Sequence, residues 1–566
     1  MEYALLPFGA FDCNGVENFH ISLLGFEREE EEEDTKGSGG MDYVYTDNLF
    51  GYDYNEERYF DRMCSYMSSA EIQSLEEPVK LNTGLDCNQK LSNAKDRELL
   101  ETSEKASSTY LSSLDILNRY RTDRTISNAD KRSELPSEAS CNYQLSTEEV
   151  MRVAGARFIQ FSGHADENLS LLTHPFSSLF SGLMDEDVKN VELVQLLLSS
   201  AEKIGHRQYE RARKLLTQCS DRSSSTGNPV ERVVHYFMEA LQERIDREMG
   251  ELKGSTIKAR LGENVEEAIL SLHPAFLAFH QLFPFSQVLQ FTAIQVIIDN
   301  VASATRVHLI DLGIRVGIHW TILMQALAVR STHRIELLKI SAVGTLRDKI
   351  EETGKHLVSF AETLNLPFAF NAVIVSDVSD IDEDRFGLET GEVVCVHIPC
   401  ILRKLIFRPD GLKKLMRLIR NLNPCVMTVT EVQGNHNSTS FINRFTEALF
   451  FYGAWFDCIG MSMAGNSGDR LHIEGNFFRQ GIQSMVVREG TERVIRHVGI
   501  DMWRSFFAQY EFVEAELGQR ALYQARLIVN KFACGNYCTL DMKGKCLTIG
   551  WKGTPLFSVS AWKLNW

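Results

Sequence analysis

Arg306-Val307-His308-Leu309-Ile310-Asp311-Leu312-Gly313-Ile314-Arg315-Val316-Gly317 is the stretch on which the fold turns. A short apolar run ends in a carboxylate, glycines follow at once, and a helix-patterned segment begins at Thr321. That is the pattern of a buried strand, a tight turn and a helix, the unit from which parallel sheets are built. Downstream the same alternation continues. Strand patterns at Glu336 to Val343, Phe368 to Val375, Glu392 to Ile398 and Cys425 to Thr430 are separated by helical patterns at Leu346 to Leu364 and Gly411 to Leu422. A helix at Ser440 to Tyr452, a strand near Ser484 to Val487, and helices at Asp501 to Ala508 and Ala521 to Lys531 are expected next. The spacing predicts an α/β fold with a mostly parallel sheet covered on both faces. The tail changes character. Tyr537 to Asp541, Cys546 to Trp551 and Leu556 to Trp562 read as antiparallel strands joined by turns at Lys543-Gly544 and Lys552-Gly553.

Upstream of Arg306 the apolar period is helical. Leu193, Leu196, Leu197, Ala201 and Ile204 share one face. Further helices are expected at Tyr209 to Cys219, Val230 to Ile245, Val265 to Phe283 and Ser286 to Ser303. This block has no strand of its own, so it must pack on the sheet domain or on a second copy. Residues 1–185 differ again. Seven of the eight residues from Glu27 to Asp34 are acidic, a Gly/Ser tract follows, and aromatics sit among acids from Met41 to Met67. This region is expected to be largely disordered, with short helices near Thr109 to Tyr120 and Ser146 to Phe161. Its acidic–aromatic mixture reads either as a solvated tail or as a segment that offers aromatics to a partner's groove. The expected organisation is therefore 1–185 regulatory and 186–566 ordered, with a mainly helical part at 186–303 and the α/β core at 304–566.

Composition narrows the function classes. A net charge of −17 over 566 residues disfavours gripping DNA mainly through phosphates. No run of 18 or more apolar residues is present, so no membrane span or membrane partner is expected, and Met1 to Ala10 lacks the pattern of a secretory signal. The twelve cysteines are scattered, and the closest group, Cys534, Cys538 and Cys546, lacks a fourth ligand, so no metal is expected.

The chemistry-bearing candidate is the turn after the first strand. Ligands of open parallel sheets sit at strand carboxyl ends, where glycines admit a ligand and an acid can hold ribose. Asp311, Gly313 and Gly317 have nearly the spacing of S-adenosylmethionine-dependent methyltransferases. A methyltransferase or nucleoside-sensing module is thus one reading. Against it, Arg315 replaces the middle glycine, and Lys339 to Thr345 offers no acid at the end of the second strand. The other reading gives the glycines to turn geometry and helix–strand packing. Glu431, Asn435, His436 and Asn437 form a second polar group. A His beside a carboxylate could be a general base, but no nucleophile stands at a telling spacing, and a hydrogen-bonded loop is the favoured role. No catalytic residue and no cofactor is expected.

Several motifs then stand in one order. Val307-His308-Leu309-Ile310-Asp311 resembles the VHIID motif of the GRAS family, with Leu309 where Ile is common. The helices from Leu193 to Ile245 resemble its first leucine-rich region and Leu338 to Leu366 its second. Asn423, Pro424, Glu431, Asn435, His436, Asn437, Arg444, Phe445 and Glu447 fall in a stretch similar to the PFYRE region, although Glu431 to Gly434 departs from the usual acidic run. Trp551, then Ser560, Ala561 and Trp562, resemble the closing SAW motif. The likeness spans about 380 residues from near Asp187.

The resemblance implies a Rossmann-type, methyltransferase-like sheet with a helical cap. It implies a nuclear regulator of plant transcription that contacts DNA-binding factors, often of zinc-finger type, and pairs with other GRAS proteins as homo- or heterodimer. Direct contact with DNA is a lesser implied mode. Leu193, Leu196 and Leu197 are the candidate partner-binding residues. The chain's ending resembles the DELLA-related branch, yet the first 185 residues contain no DELLA-like sequence, so no response through the gibberellin receptor is expected. No compact import-type basic cluster is visible; Arg403-Lys404 and Lys413-Lys414 lie in the ordered part. Nuclear location rests on the resemblance.

Overall fold

Strand β1 (Arg306–Asp311) is buried along all but its first residue, as an apolar run bounded by a charge should be. In the computed structural model, which describes residues 145–163, 184–251, 274–494 and 496–565, it lies inside one sheet. Its parallel neighbours are β2 (Leu337–Gly344) and β4 (Val393–Pro399). Beyond them lie β3 (Phe368–Ile374) against β2 and β5 (Val426–Val432) against β4. The order β3-β2-β1-β4-β5 is that of a doubly wound sheet, and it reverses direction between β1 and β4.

The antiparallel extension follows from the tail. Strand β9 (Thr554–Leu564) pairs with β5 on one side. On its other side it pairs with β8 (Cys546–Trp551), which carries β7 (Cys538–Lys543), and with β6 (Phe512–Ala515). Strand β6 was not expected. It has four residues and only Phe512 is buried, too short for a period to show.

Before the sheet come α1 (Thr147–Gly163), α2 (Asp185–Gly205), α3 (Tyr209–Ser220), α4 (Pro229–Glu248), α5 (Pro274–Leu282) and α6 (Phe285–Asn300). The sheet helices are α7 (Trp320–Ala328), α8 (Arg347–Thr363) and α9 (Pro409–Asn421). A long helix α10 (Phe441–Ser462) leads to α11 (Ser467–His472), a π-helical turn (Ile473–Phe478) and α12 (Arg479–Val486). Helices α13 (Ile500–Ala508) and α14 (Gln519–Lys531) complete the set. The strand expected near Ser484 to Val487 is instead the end of α12. A short apolar run does not by itself distinguish a strand from a buried helix.

The cap packs on the α/β core of the same chain. Helices α2 and α4 both lie against α10. Nearly every residue of α10 from Arg444 to Ile459 is buried, so it serves as the shared spine. Helix α1 also belongs to this body, upstream of the start expected near Asp187. Ser146 caps it by a reciprocal pair: its Oγ accepts from the Glu149 amide, and its amide donates to the Glu149 carboxylate at 2.8 Å. Gly453 of α10 lets α1 approach, since a Cβ there would stand 2.4 Å from the Met151 sulfur. The disorder expected over 1–144 and 164–183, the helix near Thr109 to Tyr120, and residues 265–273 of an expected helix lie outside the described residues. Among the described residues, no helix is long and apolar enough to cross a membrane.

Candidate functional site at the sheet's switch point

The carboxyl end of β1 is where a ligand would sit in this sheet order. Asp311 is buried there, and both its oxygens are engaged. One accepts from the Gly313 amide at 3.0 Å and the other from the Trp320 indole at 2.8 Å. Burial pushes its carboxyl up to about 6, against the pull of those two donors. Trp320 is itself fully buried and meets His397 of β4 edge to face at 5.2 Å. His397 bonds Thr428 of β5, and burial lowers its pKa to about 3, so it is a neutral structural ring.

The glycines have packing roles. A Cβ on Gly313 would stand 2.9 Å from Ile401 and 3.1 Å from Pro399. Gly317 takes φ +68, the left-handed region, with Thr353 of α8 at 2.7 Å from any Cβ. Arg315 between them is exposed. The turn is thus built for helix–sheet contact, the second of the two readings.

His308 has a different task from Asp311. Its Nδ1 lies 2.8 Å from Glu392 and its Nε2 2.8 Å from the Ser341 hydroxyl, which also accepts from Asn371 at 3.0 Å. The ladder runs across β1, β2 and β3, and its consistent assignment is a neutral His308 donating from Nδ1. Burial lowers the His308 pKa, with Glu392 opposing. Val307, Leu309 and Ile310 are core.

The second polar group is also internal. Glu431 lies at the end of β5 and accepts from the Leu402 amide at 2.9 Å and the Arg403 amide at 3.4 Å. Burial pushes it up to about 7. His436 is buried against His497, Nδ1 to Nδ1 at 2.9 Å, while Asn435 is exposed and Asn437 accepts from Arg496 at 3.4 Å. Asn423 takes φ 47 in the turn before Pro424 and β5. Arg444 is fully buried and donates to the carbonyls of Ser438, Thr439 and Met485 and to Glu489. Glu489 also takes Arg244 of α4 at 2.8 Å, so it clamps cap to core. Phe445 meets Phe237 of α4 edge to face at 5.4 Å, and Glu447 is buried on α10. In the closing motif, Trp551 donates to Asp457 of α10 at 2.7 Å and Trp562 to Ser560 at 2.9 Å. Ala561 is buried between them in β9.

The candidate partner surface divides. Leu193 and Leu197 are core residues, 2% and 0% exposed, and cannot meet a partner directly. A helical stripe reads the same whether it faces a core or a partner. Leu196 alone is half-buried. It lines an open groove of about 670 Å³ with Phe158, Gln195, Gln218 and Arg222.

Sequence reading missed Trp320, Ser341 and Glu392. Only Trp320 carried a signal, an indole opening the helix after the turn. Among the described residues, no cluster of three or more His, Cys, Asp or Glu could hold a metal ion.

The comparisons with known proteins agree with this architecture. The GRAS domain family matches residues 193–563. DELLA protein 1 of Medicago truncatula is 30% identical over 398 residues, covering 68% of this chain and 64% of that protein. DELLA protein RGL1 of Arabidopsis thaliana is 31% identical over 386 residues, covering 68% and 72%. The chain thus spans a little under two thirds of the first of these. The crystal structure of SCL7 in Oryza sativa matches with a TM-score of 0.57 at 27% identity, over 66% of this chain and 99% of that one. With more than half of its length matched, the chain belongs to the GRAS domain family.

Proposed function

We propose that the chain is a nuclear regulator of plant transcription that works by protein–protein contact and catalyses no reaction. It engages DNA-binding factors, of zinc-finger type, and pairs with other GRAS chains; direct contact with DNA is a weak, secondary mode. The observation that supports this reading is the engagement of Asp311 inside the fold. Its side chain is buried, with one oxygen on the Gly313 amide and the other on the Trp320 indole, so the carboxylate is used to hold the turn and the following helix. The β2 end, Gly344-Thr345, has no acid.

The contact surface assigned to partners is the groove around Leu196, where Leu196 and Phe158 are the apolar residues in a mostly polar lining that includes Glu192, Glu202, Lys203 and Arg222. The test has two arms on the full chain. In the first, S-adenosylmethionine or its demethylated product is titrated in a thermal-shift assay. A ligand at a hundred times its Kd would add about 2.7 kcal/mol, so the reading expects no saturable shift. A saturable shift lost in Asp311→Ala would overturn it in favour of an enzyme or sensor. In the second, Leu196→Glu is compared with the native chain for capture of a second GRAS chain, with circular dichroism to verify folding. Loss of capture by a folded variant is expected, and unchanged capture would remove the groove as the contact surface.

A further inference from the structure

Two thiols meet where β4 and β5 run side by side. Cys395 lies within β4 and is fully buried, and Cys425 stands directly ahead of β5 and is half-buried. Their sulfurs are 3.4 Å apart, although thirty residues separate them in the chain. The backbone fixes this approach. The Cys425 amide donates to the Val394 carbonyl at 2.9 Å, and Cys395 is in register with Val426. Hydrogen-bonded neighbouring strands stand about 4.8 Å apart, inside the Cα spacing of roughly 4.4–6.8 Å that a disulfide spans. Closing the sulfurs to the disulfide length of about 2.05 Å takes a shift of about 1.4 Å.

We propose that Cys395 and Cys425 are a peroxide-sensitive pair that closes to a reversible disulfide, with Cys425 reacting first and Cys395 resolving it. Access assigns the roles. Cys425 reaches solvent, whereas Cys395 is 0% exposed and is met through Cys425. Electrostatics point the same way. The contact with Cys395 and the charge of Lys563 lower the Cys425 thiol against its burial, while the same contact and burial raise the Cys395 thiol. In the first step the Cys425 thiolate attacks one oxygen of a hydroperoxide. An S–O bond forms, the O–O bond breaks, and the leaving hydroxide takes the proton that Cys425 gave up, as water. In the second step the Cys395 sulfur attacks the sulfenic sulfur. The S–S bond forms, the S–O bond breaks, and the hydroxyl leaves with the Cys395 proton as a second water. Two thiols and one hydrogen peroxide thus give one disulfide and two waters, each sulfur losing one electron to the peroxide oxygens. The bond ties the start of β5 to β4 across the segment that carries α9. Inside a reducing compartment such a bond is transient, and its use is to sense oxidant.

The test exposes the reduced full chain to a small molar excess of hydrogen peroxide. Remaining thiols are then alkylated, and the peptides are mapped by mass spectrometry without reductant. A linked pair of peptides joining Cys395 to Cys425, reversed by dithiothreitol, is expected. It should form about tenfold or more faster than the buried Cys458 thiol is lost. The linked chain should melt a few degrees above the reduced chain, because the bond closes a loop in the unfolded state. In Cys395→Ala the first step has no resolving thiol, so sulfenic acid at Cys425 should accumulate and be captured by dimedone. In Cys425→Ala, Cys395 should stay reduced. Circular dichroism identifies a variant that fails to fold, and the mapping of the native chain stands without either variant. Cys395 and Cys425 both remaining open to alkylation while other cysteines oxidise would overturn the proposal. So would linkage of either thiol to a different cysteine, or sulfenic acid that accumulates at Cys425 of the native chain without a link.

Discussion

Glu474 offers the sharpest test of how cap and core are joined. It lies in the π-helical turn after α11, its side chain fully buried, with Arg232 of α4 on one oxygen at 3.0 Å and Arg470 on the other at 3.2 Å. The Arg232 side chain is 5% exposed and also donates to the Gly227 and Phe456 carbonyls at 2.9 and 3.1 Å. Burial raises the Glu474 pKa and lowers that of Arg232, and in each case outweighs the partner's attraction. The triad as a whole therefore adds little net stability, but its dismemberment is costly. Glu474→Gln keeps the shape and leaves two buried guanidiniums without a counter-charge. Removing one partner of such a pair costs about 3–5 kcal/mol. The retained carbonyl acceptors of Arg232 place this case near the lower figure. Urea unfolding of the full chain, followed by tryptophan fluorescence and by circular dichroism, measures the loss. A cycle with Arg232→Met should show coupling of about 1–3 kcal/mol, because the neutral partner no longer needs the carboxylate. A loss below about 1 kcal/mol for Glu474→Gln, or strict additivity in the cycle, would refute the reasoning.

Three further outcomes are expected. Gly453→Val should drive α1 off α10, exposing the Thr147–Gly163 segment to protease, with partial rescue by Met151→Ala, which vacates the clashing space. Trp320→Phe removes the indole donor to buried Asp311 and should cost about 1–3 kcal/mol in urea unfolding. The pH dependence follows from a balance of signs. Burial lowers the pKa of His280, His308, His319, His397, His436 and His497, so below about pH 6.5 the unfolded chain binds more protons at these sites and stability rises with pH. Glu431, pushed up to about 7, Asp311, up to about 6, and Glu474 and Asp299, both raised by burial, act oppositely, since the folded chain holds their protons. Six histidines against four carboxylates predict stability climbing from about pH 4 to 6.5, where thermal midpoints should rise, and Glu431→Gln should steepen that climb.

Much of this was legible in the sequence because buried parallel strands read as continuous apolar runs, and β1 to β5 each fell within a residue or two of the expected bounds. Helix α10 was legible only in its first half. Its continuation past Tyr452 carries Gly453, which looks like a stop and is a contact point for α1. The turn's chemistry was only half legible. The carboxylate at Asp311 was visible, but the indole that consumes it lies nine residues on, and only folding brings the two together. The burial of Arg444 and Arg232 was not legible, because their carboxylate partners are distant in the chain.

The claim that the chain regulates transcription through partners is tested most directly by comparing chromatin occupancy in plant nuclei with binding of the purified full chain to the same DNA fragments. The account predicts a nuclear chain that occupies defined chromatin sites, and no comparable affinity of the purified chain for those fragments at physiological salt. Absence from the nucleus, or tight binding by the purified chain alone with steep salt dependence, would contradict it.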